Sequence, residues 1–77
     1  MAAKLTFRYD RVGDTLYIDK CLPYADQESD QLEDEIVVRS NPKTGAVENV
    51  EILSFSKRLE KGETIELPLN ADLRLAV

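Results

Sequence analysis

The chain has 77 residues, with 10 Lys and Arg against 15 Asp and Glu, no His and one Cys. A chain this short makes one small domain and hides only about 60% of the surface its unfolded form exposes, so its stability on its own is marginal. One cysteine and no histidine exclude a disulfide framework within the chain, a Cys/His zinc site, and Ser-His-Asp or Cys-His catalysis.

Strand patterns come first along the chain. Leu5, Phe7 and Tyr9 alternate with Lys4, Thr6 and Arg8, the period of a strand with one apolar face. Asp10-Arg11-Val12-Gly13-Asp14 reads as a turn, with Gly13 available for positive φ. From Thr15 to Leu22 the alternation resumes, Leu16 and Ile18 on one face and Tyr17 and Asp19 on the other, which closes a first hairpin. Pro23 ends that strand, and residues 24–34 read as an acidic loop. The β-branched run Ile36-Val37-Val38 predicts a third strand over Glu35 to Ser40. Asn41-Pro42-Lys43-Thr44-Gly45 is the next turn, and Ala46 to Leu53 is the fourth strand.

A short helix follows. Ser54 can cap it, Phe55 and Leu59 share one face, Lys57, Arg58 and Lys61 suit its C-terminal end, and Gly62 suits the position beyond. Apolar residues then occupy the odd positions from Ile65 to Val77, which predicts two strands, Thr64 to Leu67 and Asp72 to Ala76, broken at Pro68. A helix opening at Asn70 competes, because Leu69, Leu73 and Ala76 also fit one helical face. The expected fold class is α+β, mostly β: a small antiparallel sheet of two hairpins plus C-terminal strands and one short helix.

Charge is concentrated. Asp26, Glu28, Asp30, Glu33, Asp34 and Glu35 stand in one decapeptide without a base, while the rest of the chain carries 9 acids against 10 bases. Such a segment is ordinarily a solvated loop. Its sharper reading is a docking surface for a basic protein, made of Asp26, Glu28, Asp30, Glu33 and Asp34 with Tyr24 beside it as an aromatic anchor. Calcium is a poor fit, since an EF-hand loop needs glycine where Gln31 stands and a bidentate acid where Val37 stands. Nucleic acid is not an expected partner, because no basic patch is interleaved with aromatics. No apolar run is long enough to span a bilayer, and a free cysteine without an export signal points to the cytoplasm.

The pattern Tyr9-Asp10-x-x-x-Asp14-x-Leu16-Tyr17-Ile18, followed by Gly45 and by Val50-Glu51-Ile52-Leu53-x-Phe55-Ser56, resembles a family of small bacterial domains of unknown function, the one numbered twenty-two eighty-three. The resemblance covers roughly Leu5 to Ser56. It implies a compact β-rich domain of two hairpins and carries no catalytic residues with it. The chain departs from the family in having Arg39-Ser40-Asn41 where acids are usual and Asn49 where glycine is usual. The acidic segment lies outside the resembling pattern, so the resemblance implies nothing about its role.

Individual residues admit bland and sharp readings. Asp10 and Asp14 bracket the first turn and are expected to accept bonds from local backbone amides, with a paired acid site as the sharper alternative. Glu51, between Val50 and Ile52, is either a cross-strand ion-pair partner of Arg39 or Arg8, or a functional carboxylate. Tyr9, Tyr17 and Tyr24 are expected on strand faces, and Cys21 is expected to pack as a small hydrophobe. No catalytic, metal or cofactor site is expected. The functional expectation is a non-catalytic, self-associating protein-interaction module. An acidic, antitoxin-like inhibitor of a basic partner is the first alternative, and a small carboxylate-based ligand binder or enzyme the second. The apolar C-terminal stretch either completes the sheet or forms the assembly surface.

Overall fold

A computed structural model describes residues 4–75 of the chain. Its strands are β1 (Thr6–Asp10), β2 (Thr15–Asp19), β3 (Glu28–Glu33), β4 (Ile36–Ser40) and β5 (Val47–Ile52), and one helix, α1 (Phe55–Glu60), follows. They form one antiparallel sheet in the order β1-β2-β5-β4-β3. The fold is thus mostly β with a single short helix among the described residues, as the patterning predicts.

One face of the sheet is packed. Ile36 lies opposite Ile52 and Val38 opposite Val50, and these four side chains form the buried core. Leu16 and Ile18 continue the same face from β2, and Phe55 of α1 leans on it. The centre of the sheet goes to β5 because it is apolar on that face along its whole length. A register shift helps: Arg39 pairs with Asn49 but Ser40 pairs with Val47, leaving Glu48 as the extra residue. Without that bulge Val47 would share the open face with Asn49; with it, Val47 packs against the core.

Three sequence expectations need correction. Residues 24–34 are not all loop, since Glu28–Glu33 is strand β3, paired antiparallel with β4. Its composition is poor for a strand, but the backbone partners offered by β4 outweigh side-chain propensity at an edge. Nor do the C-terminal strands form: residues 63–75 carry no ladder, and neither the strands at 64–67 and 72–75 nor a helix from Asn70 is present. Ala76, the end of the predicted last strand, lies outside the described residues. The alternation survives as burial alone. Ile65, Leu67 and Leu69 are half-buried against the core while Glu66, Pro68 and Asn70 are exposed. The segment lies extended over the packed face, where no sheet edge offers hydrogen bonds.

At the turns, the left-handed residue of the first hairpin is Asp14 (φ 50), not Gly13. Gly13 is small for a different reason, because a Cβ there would come within 3.0 Å of the Asp10 carboxylate. That carboxylate accepts the Val12 and Gly13 amides at 3.0 and 3.3 Å, the local turn role expected of it. Gly45 (φ 76) and Gly62 (φ 69) do adopt the left-handed conformation. Beyond α1, the Gly62 amide bonds the Leu59 carbonyl and the Glu63 amide bonds the Arg58 carbonyl, which closes the helix end. Leu59 itself is 60% exposed and does not share Phe55's contact with the core.

Candidate functional site

Asp14 does more than fix a turn. Its Oδ1 accepts the Tyr9 hydroxyl at 2.6 Å and the Ser56 amide at 2.9 Å, and its Oδ2 accepts the Ser56 hydroxyl at 2.8 Å. The Phe55 amide bonds the Asp14 carbonyl at 3.0 Å. Asp14 therefore takes over the start of α1 from across the sheet. Ser54, the residue expected to cap it, is left-handed (φ 53), makes no cap bond, and donates its hydroxyl to Glu35 Oε1 instead. The Tyr9 hydroxyl, and next the Ser56 amide and hydroxyl, hold the Asp14 carboxyl below its ordinary value; the same bond to Asp14 raises Tyr9. Tyr9 and Phe55 also meet ring to ring, 6.0 Å between centroids. Tyr9, Asp14, Phe55 and Ser56 are all residues on which the family resemblance rests, and their joint work is to fasten hairpin to helix.

The opposite end of the sheet carries a second polar cluster, which composition alone does not suggest. Asn49 is 1% exposed. Its Nδ2 donates to Asp19 Oδ1 and to the Cys21 carbonyl, and its Oδ1 accepts Gln27 Nε2 at 2.7 Å. Gln27 Nε2 and the Tyr24 hydroxyl both donate to Glu48 Oε1, at 3.1 and 2.6 Å. The bulge that turns Val47 inward leaves Glu48 where the β2–β3 connection can reach it. Bonding to Glu48 pushes Tyr24 up to about 12, and the Tyr24 and Gln27 donors hold Glu48 below its ordinary value. Tyr24 is thus a clamp on the connection, with its ring partly exposed. Cys21 is exposed rather than packed; local desolvation, and then the Glu48 and Asp19 carboxylates, raise its thiol, a poor setting for reactivity.

On the open face, Arg39 Nη1 donates to Glu51 Oε1 as a diagonal ion pair between β4 and β5. Tyr17 lies opposite both Glu51 and Arg8, and the Arg8 guanidinium sits 4.1 Å over its ring. Glu51 is the middle of a charged stripe across the sheet, the bland reading of that residue.

The acidic residues are strung out, not gathered. Asp26 lies in the connection, Glu28, Asp30 and Glu33 on β3, and Asp34 in the turn before β4. β3 alone spans about 17 Å at the usual rise per residue. Asp34 contributes its backbone carbonyl to Arg58 Nη2 at 2.9 Å. Glu28, Asp30 and Glu33 stand opposite Ser40, Val38 and Ile36, so all three project on the packed side of the sheet at its rim. Among the described residues, no group of three or more His, Cys, Asp or Glu is arranged to hold a metal.

One depression is mainly apolar. A groove of about 710 Å³ runs along the packed face beside β1, between Leu5, Phe7 and Ile18 on one wall and Leu67, Leu69 and Leu73 on the other. Phe7 is 62% exposed and Leu73 81% exposed. A smaller cleft of about 230 Å³ at the helix end is lined by Lys57, Arg58 and Lys61 together with Glu35 and Glu63. No described helix is long and apolar enough to cross a membrane. Comparison with protein-family models, with curated proteins and with solved structures finds no match.

Proposed function

We propose that this chain is a protein-interaction module that acts by binding rather than by catalysis, and that it associates with itself. The observation that carries the reading is the open apolar groove on the packed face, with Leu5, Phe7 and Leu73 exposed around it. A chain with a four-residue buried core gains most from covering such a surface, because small scaffolds reach adequate stability by association when disulfides and metals are absent. Sedimentation velocity across a hundredfold dilution is expected to give a mass above 8.7 kDa that falls on dilution. A folded monomer at every concentration would sink the reading.

A second reading is favoured by β3, an edge strand whose Glu28, Asp30 and Glu33 are exposed. Such a charged rim suits a basic surface of another protein, its carboxylates supplying attraction and selectivity. In that case the combined variant Asp30→Asn, Glu33→Gln and Asp34→Asn would lose the basic partner in pull-downs from extract. Unchanged capture would rule the edge out.

The chain also fits, as a divergent member, the family of bacterial domains that it resembles. What supports this is that Tyr9, Asp14, Phe55 and Ser56 contact one another, so the pattern has one physical purpose. A cytoplasmic setting suits the free Cys21.

A further inference from the structure

The two edges of the sheet are built differently. On β3, Glu28, Asp30 and Glu33 point to the packed side and the register shifts between Gln31 and Glu33; inward charge and a bulge are devices that block edge pairing. On β1 neither is present. Phe7 and Tyr9 stand opposite Ile18 and Leu16 on the packed side, Thr6 to Tyr9 are all exposed, and among the described residues no strand pairs with the outer side of β1.

We propose that two copies of this chain join β1 to β1, antiparallel, about a two-fold axis through Phe7, so that one sheet runs through both. This rests on the self-association proposed above and names its surface. The register follows from charge and strand length. Keeping the apolar side chains on one side of the joined sheet requires the axis to pass through a residue, not between two. An axis at Arg8 sets guanidinium across from guanidinium, and one at Thr6 sets Arg8 across from Lys4, both unfavourable. An axis at Phe7 sets Phe7 against itself, Leu5 against Tyr9, Thr6 against Arg8 and Lys4 against Asp10, with no like charges opposed. An axis at Tyr9 opposes none either, but it sets Phe7 and Thr6 against Arg11 and Val12, which lie in the turn beyond β1, so the axis at Phe7 uses more of the strand. The joined packed faces then bring the rims of the two grooves together.

Charge complementarity favours a second copy as the occupant: in this register Lys4 of each strand faces Asp10 of the other.

Directly opposed residues of an antiparallel pair have Cα atoms about 4.5–5.5 Å apart, within the span of a disulfide. The test is therefore mild oxidation of full-length Phe7→Cys in a Cys21→Ser background, read on a non-reducing gel beside Asp30→Cys in the same background. Phe7→Cys is expected to form a covalent dimer and Asp30→Cys none. Phe7→Glu, which opposes two carboxylates at the axis, is expected to sediment at half the parental mass with an unchanged far-UV spectrum. If the parent sediments as a dimer while Phe7→Cys stays uncrosslinked, or Asp30→Cys crosslinks in its place, the β1 interface is overturned and self-association stands. A parent that is monomeric throughout overturns both.

Discussion

At the scale of single residues, two carboxylates organise the two ends of the sheet, and each is coupled to a tyrosine. Asp14 accepts Tyr9 and Ser56, while Glu48 accepts Tyr24 and Gln27. The pH dependence of stability follows. The folded-state pKa values of Asp14 and Glu48 lie below their ordinary 3.8 and 4.5, so their contribution is present above those values and is lost as pH falls through the depressed ones. Tyr24 runs the other way: raised from 10.0 to about 12, its contribution is complete below 10 and lost as pH climbs toward 12. Thermal midpoints of the parent should therefore decline on both sides of a neutral plateau. In Tyr24→Phe the plateau should be lower, and the decline above pH 10 shallower; an identical alkaline arm in the two proteins would show that the Tyr24–Glu48 bond does not form in solution.

At the scale of elements, the β2–β3 connection depends on one side chain. It must pass the ends of β5 and β4 before β3 can start, and Asn49 holds it there through Asp19, Cys21 and Gln27. Asn49→Ala leaves those partners unsatisfied in a nearly water-free position, which should cost about 2 kcal/mol by urea unfolding. A loss within about 0.5 kcal/mol, the range typical of surface substitutions, would mean that the connection is held elsewhere. The segment after α1 illustrates a different rule. Ile65, Leu67 and Leu69 alternate inward without any ladder, because period two describes any extended chain lying on an apolar surface, and pairing needs an edge as well.

At the scale of the whole molecule, the radius of gyration of 13.2 Å exceeds the roughly 11.5 Å expected for a compact chain of this length. The sheet is covered on one face by a two-turn helix and a single extended segment, and the cover reaches β1 at Tyr9 but leaves Phe7 exposed. A monomer with this outline keeps Phe7 and Leu73 in water, a cost that the proposed association would remove. The open face, with its stripe from Arg8 through Tyr17 and Glu51 to Arg39, needs no such cover. The sedimentation and crosslinking experiments belong to this scale, since neither the groove nor the difference between the edges exists in any one element.

The sequence by itself determined the two hairpin turns, the strands of the core and the position of the helix, because period-two burial, turn residues and helix-end residues are local signals. It offered Glu51 an ion pair with Arg39 or Arg8 as one of two readings, and the structure pairs it with Arg39. Only the tertiary structure decided that the acidic segment pairs as β3, that Asp14 and not Ser54 holds the start of α1, and that the C-terminal stretch lies over the sheet instead of joining it. Each of those outcomes depends on which backbone groups are left free after the neighbouring strands have paired, a quantity that no local pattern contains.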